Sequence, residues 1–162
     1  MNEQIRELFQ KAEGRYFNQV EQADLESYAE GILARLDTLR AIELAESAVL
    51  AAAVKTVMSS YPSMPAEHGA DVDQKVRRDL TLVLRYAGFS MLLHDKNFIY
   101  DKLAVWLRTI MVALCKVDQV LLGYRALVDA CRTSLAADEA EAVIPYLNVL
   151  IKELETHGGQ PS

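Results

Sequence analysis

Apolar positions recur along this chain at helical spacing and nowhere with the strict alternation of strands. In residues 3–11, Ile5, Leu8 and Phe9 fall at i, i+3 and i+4, one face of a short amphipathic helix. Glu13-Gly14-Arg15 interrupts the pattern. It resumes with Leu25, Tyr28, Ile32, Leu33 and Leu36, and Asp24 stands where an N-cap is expected. Residues 39–57 are apolar on almost every side, with alanines at 45, 48, 51, 52 and 53, which suits a helix held by several neighbours.

The clearest break is Tyr61-Pro62-Ser63-Met64-Pro65-Ala66-Glu67-His68-Gly69-Ala70, where two prolines and a glycine predict a loop. The next helix opens at Asp71, and Gln74 three residues later completes a capping-box pattern. Helices are predicted at about 71–93, 98–114, 117–134 and 138–155, with Pro145 bending the last or confining its regular part to the residues after the proline. The expectation is an all-α fold forming a single domain over 1–162. Within it, 1–22 form a helical extension suited to packing on a partner, and 156–162 form a frayed polar tail.

Composition narrows the class. Apolar residues make up 51% of the chain and charged ones 25%, with seven Gly and four Pro, enough burial to offset chain entropy. The net charge of −6 argues against a large nucleic-acid footprint. Two cysteines make neither a disulfide framework nor a zinc site, which suits a reducing compartment. The start, Met1 to Glu7, is charged and carries no apolar signal region, and no stretch reaches the roughly 18 apolar residues of a membrane span. A cytoplasmic protein with no membrane partner is expected.

Candidates for chemistry are few. His68, His94 and His157 are far apart, and none has a second ligand at metal spacing. His94 ends an apolar run, where an axial haem ligand is one reading and a helix-end histidine interacting with the dipole is the commoner one. Cys115 and Cys131 have apolar neighbours and read as small buried hydrophobes, with Lys116 beside Cys115 leaving some scope for reactivity. Glu139 and Glu141 fit the acidic start of the last helix rather than a catalytic pair. No nucleophile–base arrangement or phosphate loop is present, so an enzyme is not expected.

One segment differs. Lys75-Val76-Arg77-Arg78-Asp79 places three cations within four residues at a helix start, followed by the apolar run Leu80 to Phe89. Such a turn suits a flat apolar ligand with carboxylates: Lys75 and Arg78 would take the carboxylates, and Asp79 would accept N–H groups. The other reading is a solvated charged turn with a Lys–Asp pair at i,i+4, worth a few tenths of a kcal/mol.

The run Lys75-Val76-Arg77-Arg78-Asp79-Leu80-Thr81-Leu82-Val83-Leu84-Arg85 resembles the chromophore-binding helix of the phycobiliproteins, the allophycocyanin and phycocyanin family. There the pattern is Lys-Cys-x-Arg-Asp-(Leu/Ile)-x-Tyr-Tyr-Leu-Arg, ending in Gly-Asp where this chain has His94-Asp95. Ala12-Glu13-Gly14-Arg15-Tyr16, Leu107-Arg108 and Ala140-Glu141-Ala142 with Tyr146 match in order, so the similarity runs from about 11 to 153. The resemblance implies a globin-like fold without haem, amino-terminal helices that pack on a second subunit, and a linear tetrapyrrole, or bilin, as ligand. Carried over, Asp79 would bind the inner pyrrole nitrogens, Arg78 and Lys75 the propionates, and the thioether position falls on Val76, which has no nucleophile. Cys115 and Cys131 match no attachment position. The loop 62–73 is shorter than the family's, and Cys115-Lys116-Val117 lacks its Gly-x-Pro turn. Retained anchors without the cysteine resemble the bilin-biosynthesis-associated globins.

The implied function is non-covalent, non-enzymatic binding of a biliverdin- or phycocyanobilin-class bilin, as carrier, store or presenting protein in bilin metabolism. Contacts along the helix from Leu80, Val83, Leu84 and Ala87 would add apolar affinity. The alternative is an interaction adaptor with a vestigial pocket, docking on bilin-making enzymes or phycobilisome subunits. Both readings expect a homodimer through the amino-terminal helices and no haem.

Overall fold

The computed structural model describes residues 3–113 and 117–157, with the side chains at 3, 108, 111–113 and 157 outside that description. All regular structure among the described residues is helical. The elements are α1 (Glu3–Lys11), α2 (Gln19–Ser60), α3 (Met64–His68), α4 (Val72–Leu93), α5 (Lys96–Ile99), a π-helical turn (Tyr100–Ala104), α6 (Val105–Ala113), α7 (Val117–Ser134) and α8 (Ala137–His157). No helix among the described residues is long and apolar enough to cross a membrane.

The entry to α2 is built locally. Gly14 adopts φ +80°, a left-handed conformation that costs glycine little and turns the chain after α1. Asn18 then caps α2: its side chain accepts from the Glu21 N–H, and Glu21 accepts from the Asn18 N–H. Arg15 clamps Glu21 at 2.7 and 2.8 Å, and this hydrogen bonding holds the Glu21 carboxyl at about 2. The helix therefore starts at Gln19, Asp24 lies inside it rather than capping it, and residues 19–22 belong to α2 rather than to an extension. The cap was present in the sequence as Asn18-x-x-Glu21, masked by the polar residues around it.

From there α2 runs unbroken for 42 residues, packing most extensively on α7 and α4. Its buried stripe is Ile42, Val49, Leu50, Ala53 and Val57. Leu80, Val83, Leu84, Ala87 and Met91 of α4 meet it with Leu127 of α7 and Val143, Leu147 and Leu150 of α8 in one core. Close approach is required at Gly88, where a Cβ would come within 2.8 Å of Leu39 Cδ1. A smaller cluster of Val57, Met64 and Val72 lies under α3.

Several further expectations change. The proline loop contains α3, started by Pro65, because proline is tolerated in the first helical turn. Asp71 precedes α4 without a side-chain cap, since its carboxylate accepts from Lys75 Nζ at 3.0 Å instead. Helix α8 is assigned continuously through Pro145, so its regular part extends on both sides of the proline. The helix predicted at 98–114 begins at Lys96 and includes the π turn, one extra residue that shifts the faces of α6. Thr156 and His157 still belong to α8, while the rest of the expected tail lies outside the described residues.

The core predicts a sharp contrast. Leu127→Ala, at a side chain with 0% exposure, is expected to cost about 2–5 kcal/mol in urea unfolding. Leu44→Ala, at a residue 88% exposed on α2, is expected to change stability by no more than about 0.5 kcal/mol in the same measurement.

Candidate functional site

Helix α4 leaves one flank uncovered by α2, and there α3, α6 and α7 surround a groove of about 450 Å³. From α4 come Lys75, Val76, Asp79, Leu80, Leu82 and Val83. Spacings of three and four residues bring Lys75, Val76, Asp79 and Val83 to one side. Met64 and His68 of α3, Trp106 and Leu107 of α6, and Val120, Gly123 and Tyr124 of α7 complete most of the remaining wall. The lining is mainly apolar, with few polar groups, the usual make-up of a small-molecule site.

The three cations of the Lys75–Arg78 run do not converge. Lys75 Nζ donates to Asp71 Oδ1 at 3.0 Å and to the His68 carbonyl at 3.3 Å, so it lines the groove already held. The ion pair at i,i+4 is thus Asp71–Lys75 rather than Lys75–Asp79, and it holds the Asp71 carboxyl below its ordinary range. Arg77 reaches across to Ser47 Oγ on α2 at 3.3 Å. Arg78 is outside the lining, with Nε 3.8 Å from Asp79 Oδ1 and its side chain solvent-exposed.

Asp79 is the charged group that the groove leaves least compensated. Its side chain is 73% accessible, because it opens on the groove, yet neighbouring protein strips enough water to raise its pKa. Partial desolvation outweighs the opposing pull of Arg78. Tyr124 lies on the wall at 4% exposure, and burial together with the charge of Asp79 pushes its phenol pKa up. Its hydroxyl has no hydrogen-bond partner among the described residues.

Of the residues singled out in the sequence, Lys75, Val76, Asp79, Leu80 and Val83 line the groove. Leu84 and Ala87 do not, because both are fully buried in the core. His68, Trp106 and Tyr124 were missed as site residues. Nothing in their local sequence marks them, since α3, α6 and α7 reach α4 only through tertiary packing. His94 caps α4 in a left-handed conformation, with Nδ1 3.4 Å from the Tyr146 hydroxyl, and lies outside this groove. Cys131 is wholly buried, and desolvation raises its thiol to about 11, so it is the inert small hydrophobe its neighbours suggested. Cys115, Lys116 and the side chains of Arg108 and His157 lie outside the described residues.

A second cavity, about 340 Å³, lies between α1, the start of α2 and the end of α4. Two of its polar groups serve the fold, while Arg35 Nη2 is buried without a hydrogen-bond partner among the described residues. Arg35 Nε donates to the Leu92 carbonyl at 3.0 Å and Tyr28 Oη to the Leu93 carbonyl at 3.3 Å, satisfying groups at the α4 C-terminus.

A family model described as phycobilisome protein matches residues 9–154, which takes in the groove and every helix from α2 to α7. The chain belongs to the phycobilisome protein family. That family is all-α and globin-like, as this fold is, and its members generally carry bilin chromophores and are non-enzymatic pigment proteins. Comparison with curated proteins gives no match. A phycobilisome protein with Val76 in its groove has an alkyl group where the resemblance places a thiol, and no cysteine lines the groove among the described residues.

The raised Asp79 pKa has a consequence for stability. The folded chain holds this proton more tightly than the unfolded one, so the group's contribution to stability falls as pH rises from the ordinary value of 3.8 through the raised one. Asp79→Asn is expected to raise the melting temperature at pH 7, by an amount corresponding to up to about 0.5 kcal/mol. In thermal melts across pH, that advantage should vanish below pH 3.8.

Proposed function

We propose that the groove binds a bilin of the biliverdin or phycocyanobilin class reversibly and without a covalent bond, and that the chain carries, stores or presents this pigment in bilin metabolism. The observation that carries the reading is the pairing of Asp79 and Lys75 with apolar walls around Val76 in a phycobilisome protein. The groove suits the pigment chemically. A long conjugated ligand gains most of its affinity from the apolar wall, and its polar edge meets a carboxylate that has lost part of its water. Asp79 would accept the pyrrole N–H groups and Lys75 would meet a propionate. Arg78, flexible and solvated beside Asp79, is free to swing to the other. Val76 supplies contact but no bond, so a bound pigment depends on these non-covalent terms. Bilin supplies the light absorption when bound, and the chain's own groups hold and orient it.

We propose further that the protein acts in the cytoplasm as a homodimer through its amino-terminal segment. Ile5 and Leu8 are buried within the chain's own fold, so the expected use of the whole α1 face by a partner is reduced. Phe9, half-exposed and edge-on to Phe17 at 5.3 Å, with Tyr16 and Val20 largely exposed, leaves apolar surface there. The same surface favours the second reading, an adaptor docking on bilin-making enzymes or phycobilisome subunits. Capture of such partners, unaffected by removing bilin, would select it. Sedimentation giving a monomer at micromolar concentration would remove the dimer.

Titration of the purified chain with biliverdin and phycocyanobilin is expected to produce a red-shifted, intensified long-wavelength band that is lost on denaturation. Asp79→Ala should weaken binding roughly tenfold or more, the worth of hydrogen bonds to a charged acceptor. No spectral change with either bilin would sink the proposal. Val76→Cys is expected to yield a pigment band that survives denaturation.

A further inference from the structure

Tyr124 has no place in the anchoring scheme of Asp79, Lys75 and Arg78, yet its setting is unusual. The ring is buried to 4% exposure and forms part of the groove wall, but the hydroxyl finds no partner among the described residues. The hydroxyl opens on the groove, so a ligand that fills the groove displaces its water and leaves it unpaired unless the ligand offers an acceptor. The nearest charge acting on it is Asp79, an acceptor, and the two do not hydrogen-bond to each other. Burial and that negative charge together keep the phenol protonated, so it can donate. The groove lining thus holds one donor and one partly desolvated acceptor that are not hydrogen-bonded to each other.

We propose that Tyr124 is a specificity-determining residue of the groove: its hydroxyl donates to a terminal lactam carbonyl oxygen of the ligand while Asp79 accepts from the inner pyrrole N–H groups. This rests on the bilin reading and sharpens it. An open-chain tetrapyrrole ends in lactam rings, which present C=O and N–H side by side. A closed porphyrin macrocycle has the same flat face and propionates but no ring carbonyl. Trp106, 56% exposed on the groove lining and the chain's single tryptophan, is apolar surface that either flat ligand can contact, so that contact does not separate them. Discrimination falls to the hydrogen bonds, because a site built to pair a ligand's polar edge rejects the analogue that leaves it unpaired.

The test compares biliverdin with metal-free protoporphyrin IX, each titrated by absorbance and by quenching of Trp106 fluorescence. The parent chain is expected to prefer biliverdin. Tyr124→Phe should weaken biliverdin binding about tenfold and leave protoporphyrin IX within about twofold, so that the preference collapses without a general loss of the pocket. Asp79→Asn is measured alone and combined with Tyr124→Phe. The double variant should lose less than the product of the two single losses, since both groups fix the same ligand in one pose. Should Tyr124→Phe fail to fold, as thermal melts would reveal, the preference of Asp79→Asn decides: a reduced preference supports the proposal and an unchanged one overturns it. Biliverdin bound equally by the parent and Tyr124→Phe overturns the lactam reading and leaves bilin binding intact. A parent chain that responds to neither bilin overturns both.

Discussion

The rotation of α4 about its own axis is the constraint on which the site depends. Leu80, Val83, Leu84, Ala87 and Met91 recur at helical spacing and must all leave water together, which turns one flank of the helix into the core. Once that flank is committed, the remaining side chains have no choice of direction. Lys75, Val76 and Asp79 face the groove, while Arg77 and Arg85 face the edge of α2. Arg85 secures the register there, with two hydrogen bonds to Glu46 at 2.8 and 2.9 Å that hold the Glu46 carboxyl below its ordinary range. The pair is half in water and worth little by itself. Its use is geometric, since a planar guanidinium gripping a carboxylate tolerates little rotation of either helix.

Helix α2 makes this arrangement possible by being long. Its buried stripe begins in the middle of the bundle and reaches Val57, which joins both the small cluster under α3 and the groove lining. The groove is therefore continuous with the core, since Val57, Met64 and Val72 belong both to a buried cluster and to its lining. Two polar groups face the groove: Asp79, partly dehydrated with an exposed arginine nearby, and Tyr124, whose hydroxyl has no protein hydrogen-bond partner among the described residues.

Val76 gives the groove its particular character. It is an alkyl side chain on the groove lining, at the position where the resemblance to phycobiliproteins places a thiol. In the proposed reading, affinity comes from apolar contact and from the hydrogen bonds of Asp79 and Tyr124, all of them reversible.

Much of this was legible in the chain itself. Periodicity located α1, α4 and α7 closely, because each buries one face and so repeats every three or four residues. The motif around Asp79 and its departure at Val76 were also readable, since residue identity at fixed spacing within one helix needs no tertiary information. The start of α2 was misplaced because its cap, Asn18 with Glu21, carries no apolar signal. Which cations face the groove was not readable either: Lys75, Arg77 and Arg78 are close in sequence, but packing sends one to the groove, one to Ser47 and one to solvent. His68, Trp106 and Tyr124 became site residues only because α3, α6 and α7 close around α4. The sequence by itself determined the helices and the run around Asp79 with Val76 in it, all local properties of a periodic chain. The tertiary structure alone decided which side chains share the groove, because that depends on how separate helices pack and on which polar groups the packing leaves unpaired.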